Sequence, residues 1–537
     1  MAFYFQYRNL GKRVKQQLDE LDDREKGQQE SSPRFSGATA GGEQYDIGKD
    51  SASDDENGTA KNFPYAALDG IALETDQQGQ KYYQNPKNWS LLSRMRTVSI
   101  LVTIAFVVTA ASSIDSAVAR QAAMDFRVSE VTEALGGTAI YLIGFGVGAL
   151  LASPASEMVG RYPVYLGTLI IFGCWLIGAG LAPNIGAQIA FRFLAGLFGS
   201  PPLTVAGGSI TDMFTTRERI WAFPIFAIVG FGGPVLCYCH GRPELALGRV
   251  DHAHYRWPGH CGDPDCKKGD TRAPASMYKA RHLRKLTGDD RFKTVVEAAG
   301  HSFAKGLKAN FTSPFILALE PIVLLFTLYL AVVYIILFTF LDGYTYIFQE
   351  TYGVNQGISN LCFLGLLVGI LMLLVIVPLV NNITTKQLAR DGDDGTGKAL
   401  NQGTRIIFSI IGASLIPLGL FWMGWTDYSS ISVWSPLVAS AVVGFGIISI
   451  FTSAYLYIID SYHVYAASAL TFVALVRYLA AGGMTVVGIP MYKNLGTHWT
   501  LTVLACISIV IALVPYVLYV WGHKVRGRSK YAVGESK

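Results

Sequence analysis

The sequence predicts an all-α membrane protein. Half of its 537 residues are apolar and only 15% are charged. The apolar residues gather into runs of about twenty, each long enough to cross the ~30 Å hydrocarbon layer as a helix. Eleven such runs are present, at 97–118, 134–156, 164–182, 186–210 and 220–236 in a first block and at 315–344, 358–380, 405–425, 434–459, 467–490 and 498–521 in a second. The net charge of +5 is modest and suggests no nucleic-acid partner. The lipid bilayer is the first partner that this composition implies.

Residues 1–95 are expected to form a disordered cytoplasmic tail, because "KGQQESSPRFSGATAGGEQYDIGKDSASDDENGTAK" is too rich in Gly, Ser, Gln and charge to build a core. The opening "MAFYFQYRNLGKR" has too short an apolar part for a cleaved signal peptide, so the first span is expected to serve as the insertion signal. Residues 96–236 make an N-terminal helical half of five recognisable spans, 237–313 an aberrant segment plus a basic cytoplasmic loop, 314–522 a C-terminal half of six spans, and 523–537 a cytoplasmic tail.

Lys and Arg in short loops stay on the cytoplasmic side. Arg94 and Arg96 before the first span, Arg161 after the second, and Arg217 and Arg219 after the fourth place the N-terminus inside. Five crossings then leave the next loop outside, yet "YKARHLRKLTGDDRFK" in that loop is the most basic stretch of the chain. A sixth crossing is missing between Leu236 and Tyr278.

The stretch that stands in its place, "CYCHGRPELALGRVDHAHYRWPGHCGDPDCKK" at 237–268, holds four of the seven cysteines and four of the nine histidines. Zinc takes such ligands in pairs separated by two to four residues. Cys237 and Cys239 have a single residue between them and the histidines form no repeated pair, so no metal site is expected. The genetic code offers another reading. Read from the second base, codons for Asp, His and Tyr become codons for Ile, Thr or Met, and those for Cys become Val or Ala. With suitable choice among the allowed codons, the polar string reads as the end of span five, a Trp-rich turn and an apolar sixth span. A frameshift or misplaced splice junction explains both the odd composition and the broken topology.

Several long motifs follow one another in order. They include "NPKNWSLLSR", "GFGVGALLASPASEMVGRYPVY", "FRFLAGLFGSPPL", "PIFAIVGFGGPVL", "DTRAP" with "KARHLRKLTGDDRF", and, in the second block, "EPIVLLFTLYLAVVY", "YLYIIDSYHVYAASAL" and "MYKNLGTHW". Together they resemble the fungal twelve-span drug:proton antiporters of the major facilitator superfamily, from Asn85 to about Ser508. The resemblance lapses in this frame from 237 to 268. Asp115 stands where the family usually has an aromatic or neutral residue, and Tyr162 replaces a usual basic one.

The resemblance implies a major facilitator fold of two six-helix halves closing alternately around a central cavity, with the sixth span lost here. It also implies a monomer in the plasma membrane that exports small hydrophobic organic molecules, such as drugs, toxins or secondary metabolites, against inward proton flow. Uptake of an organic nutrient or polyamine needs the same architecture, and a non-transporting sensor or a defective product of a frameshifted gene stays open. With no phosphate-binding glycine loop carrying its Lys, neither ATP-driven transport nor an enzyme is expected, and no cofactor is called for.

A charge within a span costs ~2.5–3.5 kcal/mol on insertion scales, so Asp115, Arg192 and Arg477 are not expected to face lipid. Each serves either a structural ion pair or transport. Glu157, Gly160 and Arg161 in the loop motif, with Asp212 at the end of span four, form a candidate cytoplasmic gate, while Asp115 and Arg192 are candidates for proton coupling. Tyr329, Tyr334 and Tyr455, with Asp342 and Arg477, are candidates for a cavity that takes a hydrophobic ligand, against a plain packing role for the aromatics.

Overall fold

A computed structural model describes residues 90–159, 161–215, 218–238, 311–390, 403–462, 465–529 and 531. The polar tail up to residue 89, Gly160, Arg217, and the whole of 239–310 with its Cys/His-rich stretch and basic loop lie outside the described residues, as does the side chain of Glu157.

The first half comprises α1 (Leu91–Asp125), α2 (Glu130–Ala134), α3 (Ile140–Val159), α4 (Arg161–Gly180), α5 (Ile185–Met213) and α6 (Arg219–Tyr238). A π-helical turn, Leu135–Ala139, joins α2 to α3 in one crossing. The second half comprises α7 (Pro321–Tyr344), extended by π-helical turns over Thr345–Thr351, then α8 (Gln356–Leu361), α9 (Phe363–Arg390), α10 (Gly403–Thr426), α11 (Trp434–Tyr462) and α12 (Ala466–Arg528). Hydrocarbon offers no hydrogen bonds to a bare backbone, so each apolar run satisfies its own amides as a helix. Polar residues mark several starts: the Ser129 hydroxyl accepts from the Thr132 amide at 3.1 Å and the Asn184 side chain from the Ala187 amide at 2.8 Å.

Ten described helices are long and apolar enough to cross a membrane, where the sequence predicts eleven runs. The difference lies in α12. Its 63 residues are about three times what one crossing needs. Its backbone breaks at Gly496 (φ 76°, ψ 171°), a left-handed conformation that glycine adopts at no steric cost. The predicted runs 467–490 and 498–521 are thus its two arms. The last arm runs on to Arg528, beyond the predicted boundary at 522.

Helix pairing repeats with an offset of one half. In the first half α1 packs on α6, and α3 and α4 both pack on α5; in the second α7 packs on α12, and α9 and α10 both pack on α11. Two further pairs, α3 with α12 and α6 with α9, form the seam between the halves. The counterparts differ in one respect. α10 is covered by α12 as well as α11, whereas α4 rests mainly on α5 and keeps most of its apolar surface exposed.

The two ends of the bundle are told apart by their charges. Arg94, Arg161, Arg219 and Arg405 gather at one end, here called the inner end, and the Glu130–Lys493 pair marks the outer. α6 begins at the inner end, where Arg219 meets Asp460, and finishes at the outer with Tyr238. Phe315 is back at the inner end, against Phe472 near the start of α12.

Close helix approach depends on glycine at the contact of α3 with α5. A methyl group added at Gly144, Gly148 or Gly196 would penetrate the backbone carbonyl of Phe193, Leu197 or Tyr141 respectively. Gly196→Val is therefore expected to cost at least the ~1–3 kcal/mol of an overpacked contact. It should cut the yield of monodisperse protein in size-exclusion chromatography, whereas Gly167→Ala, at a site with open space around it, should leave the yield unchanged.

Candidate functional site

A cavity opens between the halves, with an empty volume of about 790 Å³ including the part continuous with solvent. α6, α7 and α11 line it with Phe226, Phe231, Tyr334, Phe338, Phe451 and Tyr455, and hydroxyls come from Thr109, Ser112, Thr204 and Thr471. Among the described lining residues only Arg477, on the first arm of α12, carries a formal charge at neutral pH. Its guanidinium carbon lies 4.7 Å from the ring centres of Tyr334 and Tyr478 and 5.2 Å from those of Phe451 and Tyr455. Desolvated cation–π contacts of this kind are worth up to ~2 kcal/mol each. Arg477 Nη2 donates to the Tyr478 hydroxyl at 3.4 Å.

Of the predicted cavity residues, Tyr334, Tyr455 and Arg477 line this space, and Tyr329 and Asp342 stand apart from it. Tyr329 is buried where its hydroxyl accepts from Ser409 Oγ at 3.3 Å. Asp342 sits near the outer end of α7, one residue before Gly343, which is closed over by the Tyr492 ring. Neither Asp342 Oδ2 nor the Tyr492 hydroxyl has a hydrogen-bond partner.

Asp115 and Arg192 come together, away from the lining of the cavity. Arg192 Nη2 is bonded to Asp115 Oδ1, and Nη1 donates to the Ala111 carbonyl at 3.0 Å. Both side chains are buried, so the pair is withdrawn from lipid and water alike. A third residue, missed in the sequence, completes the group. Glu133 is 1% exposed, and a methyl at Gly137 would lie 2.9 Å from its Oε1 and 2.8 Å from Asp115 Oδ2. Those two oxygens face one small gap and both lack a hydrogen-bond partner. Gln188, one helical turn before Arg192, faces the same carboxylates. The π-helical turn carries Gly137 into this gap, and its Thr138 hydroxyl meets Ser116 Oγ of α1 at 2.7 Å. Glu133 went unnoticed because it stands one residue before the apolar run at 134–156, where a carboxylate reads as solvated.

At the inner end Arg161 joins α4 to α5. It donates to the Val205 carbonyl at 2.8 Å and to Ser209 Oγ at 3.3 Å, and pairs with Asp212 at 2.7 Å. Of the candidate gate, Arg161 and Asp212 are thus paired, wholly within the first half. The ion pairs that bridge the seam are others. Asp460 meets Arg405 at 2.9 Å and Arg219, from the other half, at 3.5 Å, with all three largely buried. At the outer end Lys493 meets Glu130 at 2.6 Å, half exposed. Asp460 and Arg405 stand at the edges of apolar runs, the same ambiguity that concealed Glu133.

Removing one partner of a buried ion pair leaves an uncompensated charge, at ~3–5 kcal/mol, whereas an exposed pair is worth at most ~1 kcal/mol. Asp460→Asn should therefore lower the melting temperature markedly and Lys493→Ala barely, in detergent-solubilised protein. A pH effect is expected between α5 and α6. Glu218, in the turn outside the membrane, is pushed up by partial burial, but the Thr215 amide and hydroxyl and the Arg94 guanidinium outweigh this and hold it below its ordinary value. A carboxyl lowered on folding stabilises the fold fully above its unfolded value of about 4.3, and that contribution disappears as pH falls through the lower folded value. The melting-temperature difference between wild type and Glu218→Gln should thus be largest near neutrality and vanish at the acid end of a titration.

Comparisons with known proteins place this geometry. Residues 220–485 match the family model for the Major Facilitator Superfamily. The MFS-type transporter kojT of Aspergillus flavus is 45% identical over 457 residues, covering 83% of this chain and 80% of the relative. The MFS-type efflux pump MFS2 of Trichophyton rubrum is 32% identical, covering 88% of this chain and 80% of the relative. Among solved structures, the proton:xylose symporter XylE bound to 6-bromo-6-deoxy-D-glucose matches with a TM-score of 0.53, at 14% identity, over 79% of this chain and 95% of that one; this likeness speaks for the fold alone. Sustained identity to transporters across four fifths of the sequence, on two helical repeats around a shared cavity, establishes that the chain belongs to the major facilitator superfamily of multi-pass membrane transporters.

Proposed function

We propose that the protein is a proton-coupled exporter of small hydrophobic organic molecules, acting as a monomer in the plasma membrane. The observation that carries this reading is the buried group of Asp115, Glu133 and Arg192. Two carboxylates beside one guanidinium leave one negative charge uncompensated in a place that neither water nor lipid headgroups reach, and a single proton cancels it. Glu133 stands on α2, which packs against α12 of the second half, so proton binding there bears on how the halves meet. The aromatic lining of the cavity suits a hydrophobic cargo. Export, in preference to uptake, rests on relatives such as MFS2 and the Floropilus chiversii efflux pump radE.

Transport of a lipophilic dye into inside-out proteoliposomes with an acid interior tests the reading. The wild type should concentrate the dye only while the proton gradient stands. Arg192→Ala should abolish gradient-driven transport, and Asp115→Asn and Glu133→Gln should leave any residual dye exchange independent of pH. Equal rates with and without the gradient in the wild type would refute proton coupling, and dye movement in the opposite net sense would make the protein an importer.

A further inference from the structure

The cavity carries a positive charge for which the described protein supplies no anion. Arg477 is 2% exposed and lines the space through which cargo passes. Its described electrostatic neighbours are Tyr334, Tyr455 and Tyr478, with no carboxylate among them. Two of its nitrogens, Nε and Nη1, have no hydrogen-bond partner. Two other buried guanidinium groups behave differently: Arg192 is joined to Asp115 and Arg405 to Asp460.

The aromatic rings stabilise the Arg477 cation from their faces and leave Nε and Nη1 unanswered; Nη2, which gives one hydrogen to Tyr478, has a second that lies parallel to the donor of one of these two and completes a fork with it. A guanidinium fork presents parallel donors that match the two oxygens of a carboxylate, or an oxygen anion beside a carbonyl, better than any neutral group does. The rings around it, Tyr334, Phe451, Tyr455 and Tyr478, supply flat apolar walls. Threonine and serine hydroxyls on α1, α5 and α12 complete a lining that holds no described acidic residue to repel an anion.

We infer that the cavity is a binding site for a planar organic acid: an aromatic or conjugated molecule whose carboxylate takes N–H groups of Arg477 that the protein leaves free while its ring stacks among the four aromatics. The inference rests on the transporter reading for the cavity's purpose, but it specifies the cargo's charge, which that reading leaves open. The bound anion supplies the missing counter-charge, so loaded and empty cavities differ by one full charge inside the bundle. A neutral molecule of the same shape fills the walls and leaves the buried donors unmet, and buried unmet donors discriminate strongly between otherwise similar ligands.

Equilibrium binding to the purified full-length protein in detergent, with no gradient, tests this with 2-naphthoate and its neutral counterpart 2-naphthamide. Wild type should bind the acid at least tenfold more tightly than the amide. Arg477→Lys, which keeps the charge and loses the fork, should reduce that ratio, and Arg477→Gln should bring it to about one while amide binding persists. Size-exclusion profiles and melting curves establish that each variant is folded, and the Lys variant decides the matter if the Gln variant is not. Equal binding of acid and amide to wild type, a preference that survives in Arg477→Gln, or no saturable binding of either compound would overturn the inference. Because no gradient is applied, a preference for the acid alongside failed proton coupling would sink the coupling and leave this site standing, and gradient-driven export without any acid preference would do the reverse.

Discussion

A charge inside hydrocarbon has to find its compensation inside the protein. That constraint organises the interior of this transporter. Arg192 is satisfied by Asp115 and a backbone carbonyl, and Asp460 by two arginines from different halves. Arg477 is satisfied partly, by aromatic faces. Each arrangement fixes a pair of helices in rotation and height, because a buried ion pair tolerates little displacement before its desolvation cost goes uncompensated. The apolar packing around them is comparatively indifferent to register, since lipid tails are as apolar as the side chains they contact.

The same constraint distinguishes interactions that hold a half together from those that hold the halves to each other. Arg161 with Asp212 and Arg192 with Asp115 belong to the first half and would travel with it as a unit. Arg219 with Asp460 at the inner end and Lys493 with Glu130 at the outer end cross the seam, and these have to part if the cavity is to open to either side. The inner bridge is buried and the outer is half exposed, so they differ greatly in what opening costs. Glu133 lies where α2 approaches α12, close to the seam, and so connects the buried carboxylates of one half to the surface of the other.

Much of this architecture was legible in the sequence. Eleven apolar runs became ten described helices because two of them meet at Gly496, and the basic loops marked the inner end before any coordinate did. The demand for one more crossing after Tyr238 came from counting charges along the chain. The residues that would have to meet that demand, 239–310, lie outside the described part.

Charged residues in the middle of apolar runs, Asp115, Arg192 and Arg477, stood out because hydropathy penalises them wherever their partners are. Glu133, Arg405 and Asp460 did not, because they lie at the margins of their runs, where a one-dimensional reading places the membrane surface and assumes water. Tertiary structure decided otherwise: neighbouring helices extend past those margins and bury them, to 1%, 0% and 6% exposure. It also decided that Tyr334 and Tyr455 face the cavity while Tyr329 and Asp342 do not. Sequence by itself determined which described stretches are long and apolar enough to cross a bilayer and which charges need partners, since both follow from transfer free energies summed along the chain. Which partners they find depends on helix rotation and crossing, and these are set by contacts between residues as distant as 115 and 192 or 219 and 460.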